Sequence, residues 1–364
     1  MPKRIAKRRP WLNAPAWGSS PTVREGVSAQ RGRPPLRSGY CPVLRLTHKQ
    51  VGNQIVSNSI TLPAFAKINW SLRVIGRRGD GYHEIDTVFQ TISLCDTIRI
   101  TSTEENPIVL SCDDRSLPSD ERNLVWRAAA ALRVRCAIQA GARIRLEKRI
   151  PVHAGLGGGS ADALATLLGL AYLWNATITE SELLELAAGL GADVPVFLYG
   201  GTARGTGTGT EIAPLRDAAD KFLLVLKPNA NISTSKAYEA LNAAALTTSD
   251  AKTILSSSQR NSFPDSFSSA ALLNDFAAVV LQLEPEIERA RVALMKAGAS
   301  AALLAGSGAA VFGVFDNKDA QERAIQNVEL ETGWRVFPCS TVGRNHYRSA
   351  MGAAGDILAR FNKQ

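Results

Sequence analysis

The stretch from Pro151 to Ala161 holds four glycines and one serine between two segments with regular patterns. Residues 142–150 alternate apolar and polar side chains as a strand does, and residues 163–174 form the apolar run of a buried helix. A glycine-rich turn that leads into a helix N-terminus presents backbone N–H groups, and the helix dipole adds to their attraction for an anion. We therefore predict a phosphate-binding loop, although a plain connecting turn would show the same glycines. Its candidate residues are Pro151, Val152, His153, Ala154, Gly155, Leu156, Gly157, Gly158, Gly159, Ser160 and Ala161.

The order of these glycines excludes two common nucleotide motifs. No Lys-Ser or Lys-Thr pair follows them, as the Walker loop requires, and Ser160 stands where the dinucleotide motif has its last glycine. A lysine that offsets the charge of a phosphate must therefore come from another part of the chain.

Two other segments carry side chains that could act on a phosphate. Apolar and polar residues alternate from 67 to 74, so Lys67 and Asn69 share one face of a predicted strand. Asp193 has apolar neighbours, and a buried aspartate is usually paired or hydrogen-bonded. The simpler explanations are a solvent-exposed strand lysine and a helix N-cap aspartate.

The positive charge of the chain is concentrated at its N-terminus. The formal net charge is +9, but residues 1–50 hold eleven Lys and Arg against one acidic residue, so the remainder carries about −1. This distribution argues against nucleic-acid binding outside the N-terminal segment. We predict that residues 1–57 are a disordered basic extension. Translation from a start codon assigned too early would produce such a segment. An organelle transit peptide is the alternative, and RNA or membrane binding by this segment is a further hypothesis.

The five cysteines are dispersed and include no C-x-x-C pair, which is typical of reduced thiols. No apolar run reaches the length of a membrane span, and the N-terminus lacks the apolar stretch of a secretory signal. We expect a cytoplasmic protein, with the plastid as the alternative if the extension is a transit peptide.

Taken together, the motifs resemble the GHMP small-molecule kinases, named for galactose, homoserine, mevalonate and phosphomevalonate kinases. The nucleotide motif of that family, a proline followed after three residues by Gly-Leu-Gly, matches Pro151–Gly157, and its C-terminal glycine motif matches Leu304–Phe312. The resemblance implies the α+β, two-domain GHMP kinase fold. An N-terminal α/β domain like domain 2 of ribosomal protein S5 faces a C-terminal α+β sandwich, with the active site in the cleft between them. We accordingly predict an N-terminal, ATP-binding domain at 58–213, a C-terminal domain at 214–348 and a tail at 349–364, with a surface insertion at 245–270.

Five sequence blocks resemble one branch of the family, whose members phosphorylate the 2-hydroxyl of 4-diphosphocytidyl-2-C-methyl-D-erythritol in the methylerythritol phosphate pathway of isoprenoid and terpenoid biosynthesis. The blocks are residues 66–69, 77–83, 155–160, 191–197 and 274–275. The resemblance makes Lys67 and Asp193 the catalytic pair. It places the cytosine ring between Tyr82 and Tyr238, with His83 at the edge of the base. The complete set of implied substrate-binding residues is Asn69, Tyr82, His83, Thr234 and Tyr238, and the C-terminal glycine motif contributes Gly306, Ser307 and Gly308.

The same resemblance implies ATP as the phosphoryl donor, bound by the loop at 151–161. Mg²⁺ should accompany ATP, with Ser160 and nearby acidic residues as candidate ligands and none assigned. The expected partner is the small-molecule substrate, with neither nucleic acid nor membrane, and the chain would be a monomer or a homodimer. Another GHMP kinase of the homoserine or mevalonate type, or a non-catalytic nucleotide-binding relative, are the alternatives.

Overall fold

The computed structural model describes residues 45–51, 54–241 and 272–362. These residues form two sheets, each covered by helices. The strands are β1 (Arg45–Val51), β2 (Gln54–Arg77), β3 (His83–Thr103), β4 (Ile108–Cys112), β5 (Gly141–Glu147), β6 (Thr202–Thr206), β7 (Glu211–Pro214), β8 (Phe222–Lys227), β9 (Leu273–Asn274), β10 (Ala301–Leu304), β11 (Val311–Phe315) and β12 (Arg335–Ser340). The α-helices are α1 (Leu124–Arg135), α2 (Gly158–Leu173), α3 (Glu180–Leu190), α4 (Val196–Tyr199), α5 (Thr234–Leu241), α6 (Ala277–Leu283), α7 (Pro285–Lys296), α8 (Lys318–Asn327), α9 (Arg344–Ala350) and α10 (Gly355–Leu358).

The larger sheet is built on the long antiparallel pair β2 and β3. Its main path within the described residues is β1-β2-β3-β5-β4, with β6 attached to β3, β7 attached to β6 and the short β9 attached to β2. Strand β3 is continuous from His83 to Thr103. The β2–β3 pair has three register shifts, and such irregularities bend a pair of strands. The bends allow these two long strands to pack in both halves of the protein.

Helices α1, α2 and α3 cover one face of the larger sheet. Helix α2 is mostly apolar, as its leucine-rich sequence predicts, and every residue from Ala161 to Ala171 is buried. A capping box opens α3, with Thr179 and Glu182 bonded reciprocally, and Gly191 ends the helix.

The second sheet is antiparallel, in the order β10-β11-β8-β12. One of its faces packs on α7, whereas the other meets β2 and β3 through a shared apolar cluster. Trp70 of β2 lies edge-on to Phe312 of β11 with the ring centroids 5.9 Å apart. Strand β2 is therefore covered on both faces, which explains why Lys67 and Asn69 are buried instead of solvent-exposed.

The C-terminal residues complete the core of the first half. Tyr347, Met351, Ala354 and Leu358 are buried in the same cluster as α2, and the Tyr347 hydroxyl donates to the Phe197 carbonyl at 2.6 Å. The predicted tail at 349–364 thus contains helical residues packed on the N-terminal half, because their apolar side chains recur at helical spacing.

At the other end, regular structure begins earlier than predicted. Strand β1 starts at Arg45 and pairs with β2 from Gln54 onward, so part of the segment 1–57 is an ordered β-hairpin rather than a disordered extension. Residues 1–44 and the predicted insertion at 245–270 lie outside the described residues.

Cys112, Cys136 and Cys339 are free thiols, whereas Cys95 is disulfide-bonded, unlike the reduced set that was predicted. No helix in the described ranges is long and apolar enough to cross a membrane.

Candidate active site

The glycine loop turns sharply because three of its residues have positive φ. His153, Gly155 and Gly157 have φ of 55°, 78° and 69°. A Cβ at Gly155 would lie 1.8 Å from the Ala305 carbonyl oxygen, so the backbones of the two glycine motifs touch directly. The Ala310 N–H also donates to the Ala154 carbonyl at 3.2 Å. The two halves of the protein therefore meet, backbone against backbone, at the predicted phosphate loop.

Helix α2 begins immediately after this turn, at Gly158. The first N–H groups of a helix have no partner within it, and Gly157 offers no side chain to cap them. Ser160, in the first turn of α2, lines the cavity described below. This geometry suits an anion at the helix N-terminus, as the sequence predicted.

We expect Gly155→Ala to lower the free energy of unfolding by about 3 kcal/mol, because the methyl group would overlap backbone and the residue has positive φ. Gly159→Ala is the matched control on the same loop, since its nearest neighbour would be Leu124 Cδ1 at an ordinary 3.6 Å. Urea denaturation of both variants measures the difference. Equal stabilities would contradict the close backbone contact.

A buried charge cluster anchors both ends of the loop. The Asp96 carboxylate accepts hydrogen bonds from the backbone N–H of Arg149 at 2.5 Å and of Ile150 at 2.8 Å, just before the loop. Lys148 is bonded to Asp96 and, at 2.8 Å, to Asp162 in α2. All three charged side chains are almost completely buried. Burial, with the nearby charge of Asp96, raises the pKa of Asp162. The cluster fixes the position of α2 relative to the end of β5.

Lys67 and Asp193 form an ion pair beside the loop. Lys67 Nζ lies 3.3 Å from Asp193 Oδ2, with the lysine buried and the carboxylate 38% exposed. Lys67 Nζ also donates to Asn69 Oδ1 at 3.0 Å and lies 5.5 Å from the Phe89 ring centroid. Asn69 in turn donates to the Thr87 hydroxyl at 2.7 Å. The N-cap interpretation of Asp193 is wrong, because α4 begins at Val196 and is preceded by Pro195.

Strand geometry aims these side chains. The register of β2 against β3 shifts on both sides of the Lys67–Asn69 segment. Such bulges redirect side chains next to active sites. The backbone N–H of Lys67 donates to the Leu156 carbonyl at 2.9 Å, which ties the strand to the glycine loop.

A cavity of about 920 Å³ opens beside this pair. Its walls bring together the sequence-predicted residues Lys67, Asn69, Tyr82, His83, Ser160, Asp193, Thr234, Tyr238, Gly306 and Ser307. The His83 ring is stacked on that of Tyr238, with centroids 4.5 Å apart, whereas Tyr82 is 67% exposed. The arrangement thus differs from the predicted pairing of Tyr82 with Tyr238, because His83 covers the Tyr238 face. Ser307 Oγ donates to Thr234 Oγ1 at 3.2 Å.

Ionisation at the two stacked rings is shifted toward their neutral forms. Burial, with the nearby carboxylate of Asp193, raises the pKa of Tyr238 to about 12. Partial burial lowers the pKa of His83, and the positive charge of Arg77 lowers it further. Both rings are therefore uncharged near neutral pH, which favours stacking with an uncharged base.

We expect the His83 imidazole to titrate below the ordinary histidine value of about 6.5. Arg77→Gln removes the repelling charge and should move the midpoint upward, although burial would keep it low. NMR titration of the His83 ring measures both midpoints. A wild-type midpoint at or above the ordinary value, or no change in the variant, would contradict this account.

The residues around the loop fit a metal ion held mainly by phosphates. Among the described residues, no group of three or more His, Cys, Asp or Glu side chains could hold a metal by itself. Ser160 and Asp193 face the same cavity, whereas Asp162 is turned toward Lys148. Mg²⁺ commonly takes one or two protein oxygens together with substrate phosphates, so this sparse donor set is adequate.

Several residues of the site escaped the sequence reasoning. Phe89 and Thr87 lie on β3, which pairs with the strand of Lys67 and Asn69. Residues 87–92 are all buried, so no alternation along β3 marks these two as site residues. Phe276 lines the cavity and meets Tyr238 edge-on at 4.8 Å. The Asn274-Asp275 block was recognised, but no role could be given to it from the sequence.

Known proteins share these features. The sequence profile of the GHMP kinases N terminal domain matches residues 123–201, and that of the GHMP kinases C terminal matches residues 245–332. A 4-diphosphocytidyl-2-C-methyl-D-erythritol kinase from Solibacter usitatus (strain Ellin6076) is 41% identical over 83% of this chain and 94% of its own length. The enzyme of that name from Geobacter sp. (strain M21) is 36% identical over 78% of this chain and 99% of its own.

Solved structures agree. A crystal structure of 4-(cytidine 5'-diphospho)-2C-methyl-D-erythritol kinase superposes with a TM-score of 0.63 and 32% identity, covering 78% of this chain and 99% of that one. A homoserine kinase from Cytophaga hutchinsonii has a TM-score of 0.57 at 18% identity over 82% of this chain and 99% of its own, which shows the shared fold alone. The chain belongs to the GHMP kinases and, among them, to the family of the 4-diphosphocytidyl-2-C-methyl-D-erythritol kinases.

Proposed function

We propose that the protein transfers the γ-phosphoryl group of ATP to the 2-hydroxyl of 4-diphosphocytidyl-2-C-methyl-D-erythritol, giving ADP and the 2-phosphate, a step of isoprenoid biosynthesis. The observation that carries the proposal is the Lys67–Asp193 ion pair at 3.3 Å on the wall of the large cavity. Ser160 of the phosphate loop and the Tyr238 ring face the same space. Donor phosphates and a flat base can thus be held on either side of one acid–base pair.

Phosphoryl transfer requires in-line positioning and the dispersal of negative charge. The acceptor hydroxyl oxygen attacks the γ-phosphorus, the bond to the ADP oxygen breaks, and the hydroxyl proton passes to the Asp193 carboxylate. A carboxylate is a weak base for a hydroxyl, so charge stabilisation must supply much of the rate. Lys67 has three N–H donors, of which Asp193 and Asn69 receive two. We propose that the third stabilises the transferred group.

The loop amides and the start of α2 would hold the ATP phosphates. A second cavity of about 630 Å³ lies against Pro151–His153, at the end of the loop opposite Ser160. We propose that the nucleoside of ATP extends toward this side, which leaves the first cavity to the acceptor. Mg²⁺ would supply further neutralisation of phosphate charge, with Ser160 and Asp193 as the protein oxygens in reach of the cavity.

Recognition of the cytidine end would rest on aromatic contact. Tyr238 is backed by Phe276 and faced by His83, so its ring is held rigidly. A cytosine ring could stack on Tyr238 once His83 moves to the edge of the base, and the exposed Tyr82 could then close over it. Thr234 and Asn69 remain the proposed contacts to the rest of the substrate.

An acceptor panel tests this proposal. We expect turnover of the cytidine substrate with ATP, and kcat/KM for homoserine and mevalonate lower by about 10³-fold or more, because those acceptors leave the aromatic and polar groups of the cavity unpaired. Mass spectrometry of the phosphorylated product and ADP release provide the measurement. Preferred turnover of mevalonate or homoserine would refute the substrate assignment. Release of no product from any acceptor would favour a non-catalytic nucleotide-binding protein.

Two further predictions from the sequence, the domain boundaries and the cellular compartment, belong to this proposal. We keep 58–213 and 214–348 as working domain boundaries, with the C-terminal helices assigned to the first half because they pack there. We propose that the reaction takes place in the cytoplasm, or in a plastid if residues 1–44 include a transit peptide.

A further inference from the structure

Three consecutive residues before α6, Asn274, Asp275 and Phe276, connect separate parts of the site. Resting on the proposed function, we infer that Asn274 is a positioning residue for phosphoryl transfer, which acts through the Gly306 turn on Lys67. The inference depends on the two hydrogen bonds that the Asn274 amide makes to this turn, and on the attachment of its segment to β2.

The Asn274 side chain is buried and fully engaged. Its Nδ2 group donates to the carbonyls of Leu304 at 3.0 Å and Gly306 at 2.7 Å. Its Oδ1 accepts from the backbone N–H of Phe276 at 2.9 Å. Two donors and one acceptor at this short reach are the particular property of asparagine. An aspartate would present an acceptor to the two carbonyls, and an alanine would leave them buried without these donors.

The turn held by Asn274 lies against Lys67. Gly306 has φ of 56°, and a Cβ there would lie 3.3 Å from Lys67 Nζ, 3.5 Å from Asn69 Oδ1 and 2.9 Å from the Gly155 carbonyl oxygen. The backbone at Gly306 is therefore packed between the lysine and the phosphate loop. A shift of this turn would change the space beside the ammonium group of Lys67.

The neighbouring residues fix Asn274 relative to the strand that carries Lys67. Strand β9 pairs with β2 in parallel, with Asn274 opposite Leu72. Asp275 Oδ2 accepts from the Val74 N–H at 2.8 Å, and the Asp275 N–H donates to the Leu72 carbonyl at 3.0 Å. Phe276 meets the Tyr238 ring at 4.8 Å. Residues 274–276 thus contact the Gly306 turn, strand β2 and the Tyr238 ring, and fix the positions of these three parts relative to one another.

Kinetics of Asn274→Asp test the inference. We expect kcat to fall by about 10²-fold, as for a displaced reacting group, while the KM values for ATP and the cytidine substrate change by no more than about threefold. If the aspartate variant does not fold, Asn274→Ala, which adds no buried charge, gives the same comparison. Asn317→Ala, which removes an exposed N-cap bond far from the cavity, serves as a control for mild destabilisation and should keep the wild-type kcat.

A double-mutant cycle separates positioning from general stability. In the background Lys67→Met, the Asn274 substitution should lower the residual rate by no more than about twofold, because the group through which it acts is absent. An equal loss of rate in both backgrounds, or a wild-type kcat for Asn274→Asp, would overturn the inference. Turnover by the wild type tests the substrate assignment, whereas the ratio of variant to wild type tests Asn274, so the two failures are distinguishable.

Discussion

Lys67→Met is expected to lower kcat by about 10³-fold, which is the cost of removing a preorganised charge from the transition state. The lysine is buried, and its ammonium group is held by Asp193, Asn69 and the Phe89 ring. Methionine retains most of the side-chain volume without the charge. The KM for ATP should change much less, because in our proposal the loop amides and α2 provide the main phosphate contacts.

Asp193→Asn should reduce kcat to a similar extent, and the double variant should be only slightly slower than either single one, since we propose that the two residues act as a unit. Lys318→Met is the matched control: this lysine is exposed, pairs with Glu322 at 3.5 Å and should leave the rate unchanged. Steady-state assays of ADP release measure kcat for the two single variants, the double variant and the Lys318→Met control. Additive losses in the double variant would show that the pair does not function as proposed.

Lys148→Met is expected to produce the largest loss of stability, about 3 kcal/mol or more in the free energy of unfolding. The substitution leaves the carboxylates of Asp96 and Asp162 buried with no cation between them. Asp162→Asn should be tolerated, because Lys148 keeps Asp96 as its partner. The combination of Lys148→Met with Asp162→Asn should recover part of the loss, since only one uncompensated carboxylate remains.

The loss caused by Lys148→Met should depend on pH. Burial already raises the pKa of Asp162 in the wild type, and removal of the lysine charge raises it further. A carboxyl group with a raised pKa binds its proton more tightly in the folded state, so stability is greatest at low pH and falls as pH rises through the folded pKa. The deficit relative to wild type should therefore be larger near pH 8 than near pH 5, as urea titrations at about these two pH values would show. A deficit that is the same at both would contradict the charge-based explanation.

Local sequence patterns predicted the structural features that depend on residues close together in the chain. Alternation placed Lys67 and Asn69 on one face, where they are hydrogen-bonded to each other. The glycine spacing predicted a turn into a helix, and the family resemblance identified residues that the fold brings to one cavity.

Contacts between distant segments could not be predicted in the same way. Asp96 and Lys148 are unremarkable in sequence, and only the pairing of β3 with β5 brings them together. The burial of Lys67 depends on the second sheet, whose position no local pattern gives. The stacking of His83 on Tyr238 likewise depends on how α5 meets the start of β3, which a motif does not specify.

The C-terminal helices affect how the protein is made. Tyr347, Met351 and Leu358 fill the core of the first half, so that core stays incomplete on the ribosome until residues 347–358 have been synthesised. Domains usually fold in order as they emerge, the N-terminal one first. Here the first half must keep apolar surface uncovered while the second half is translated. A fragment cut after the first half would lack part of its own core, so no single cut in the chain separates two halves that fold independently.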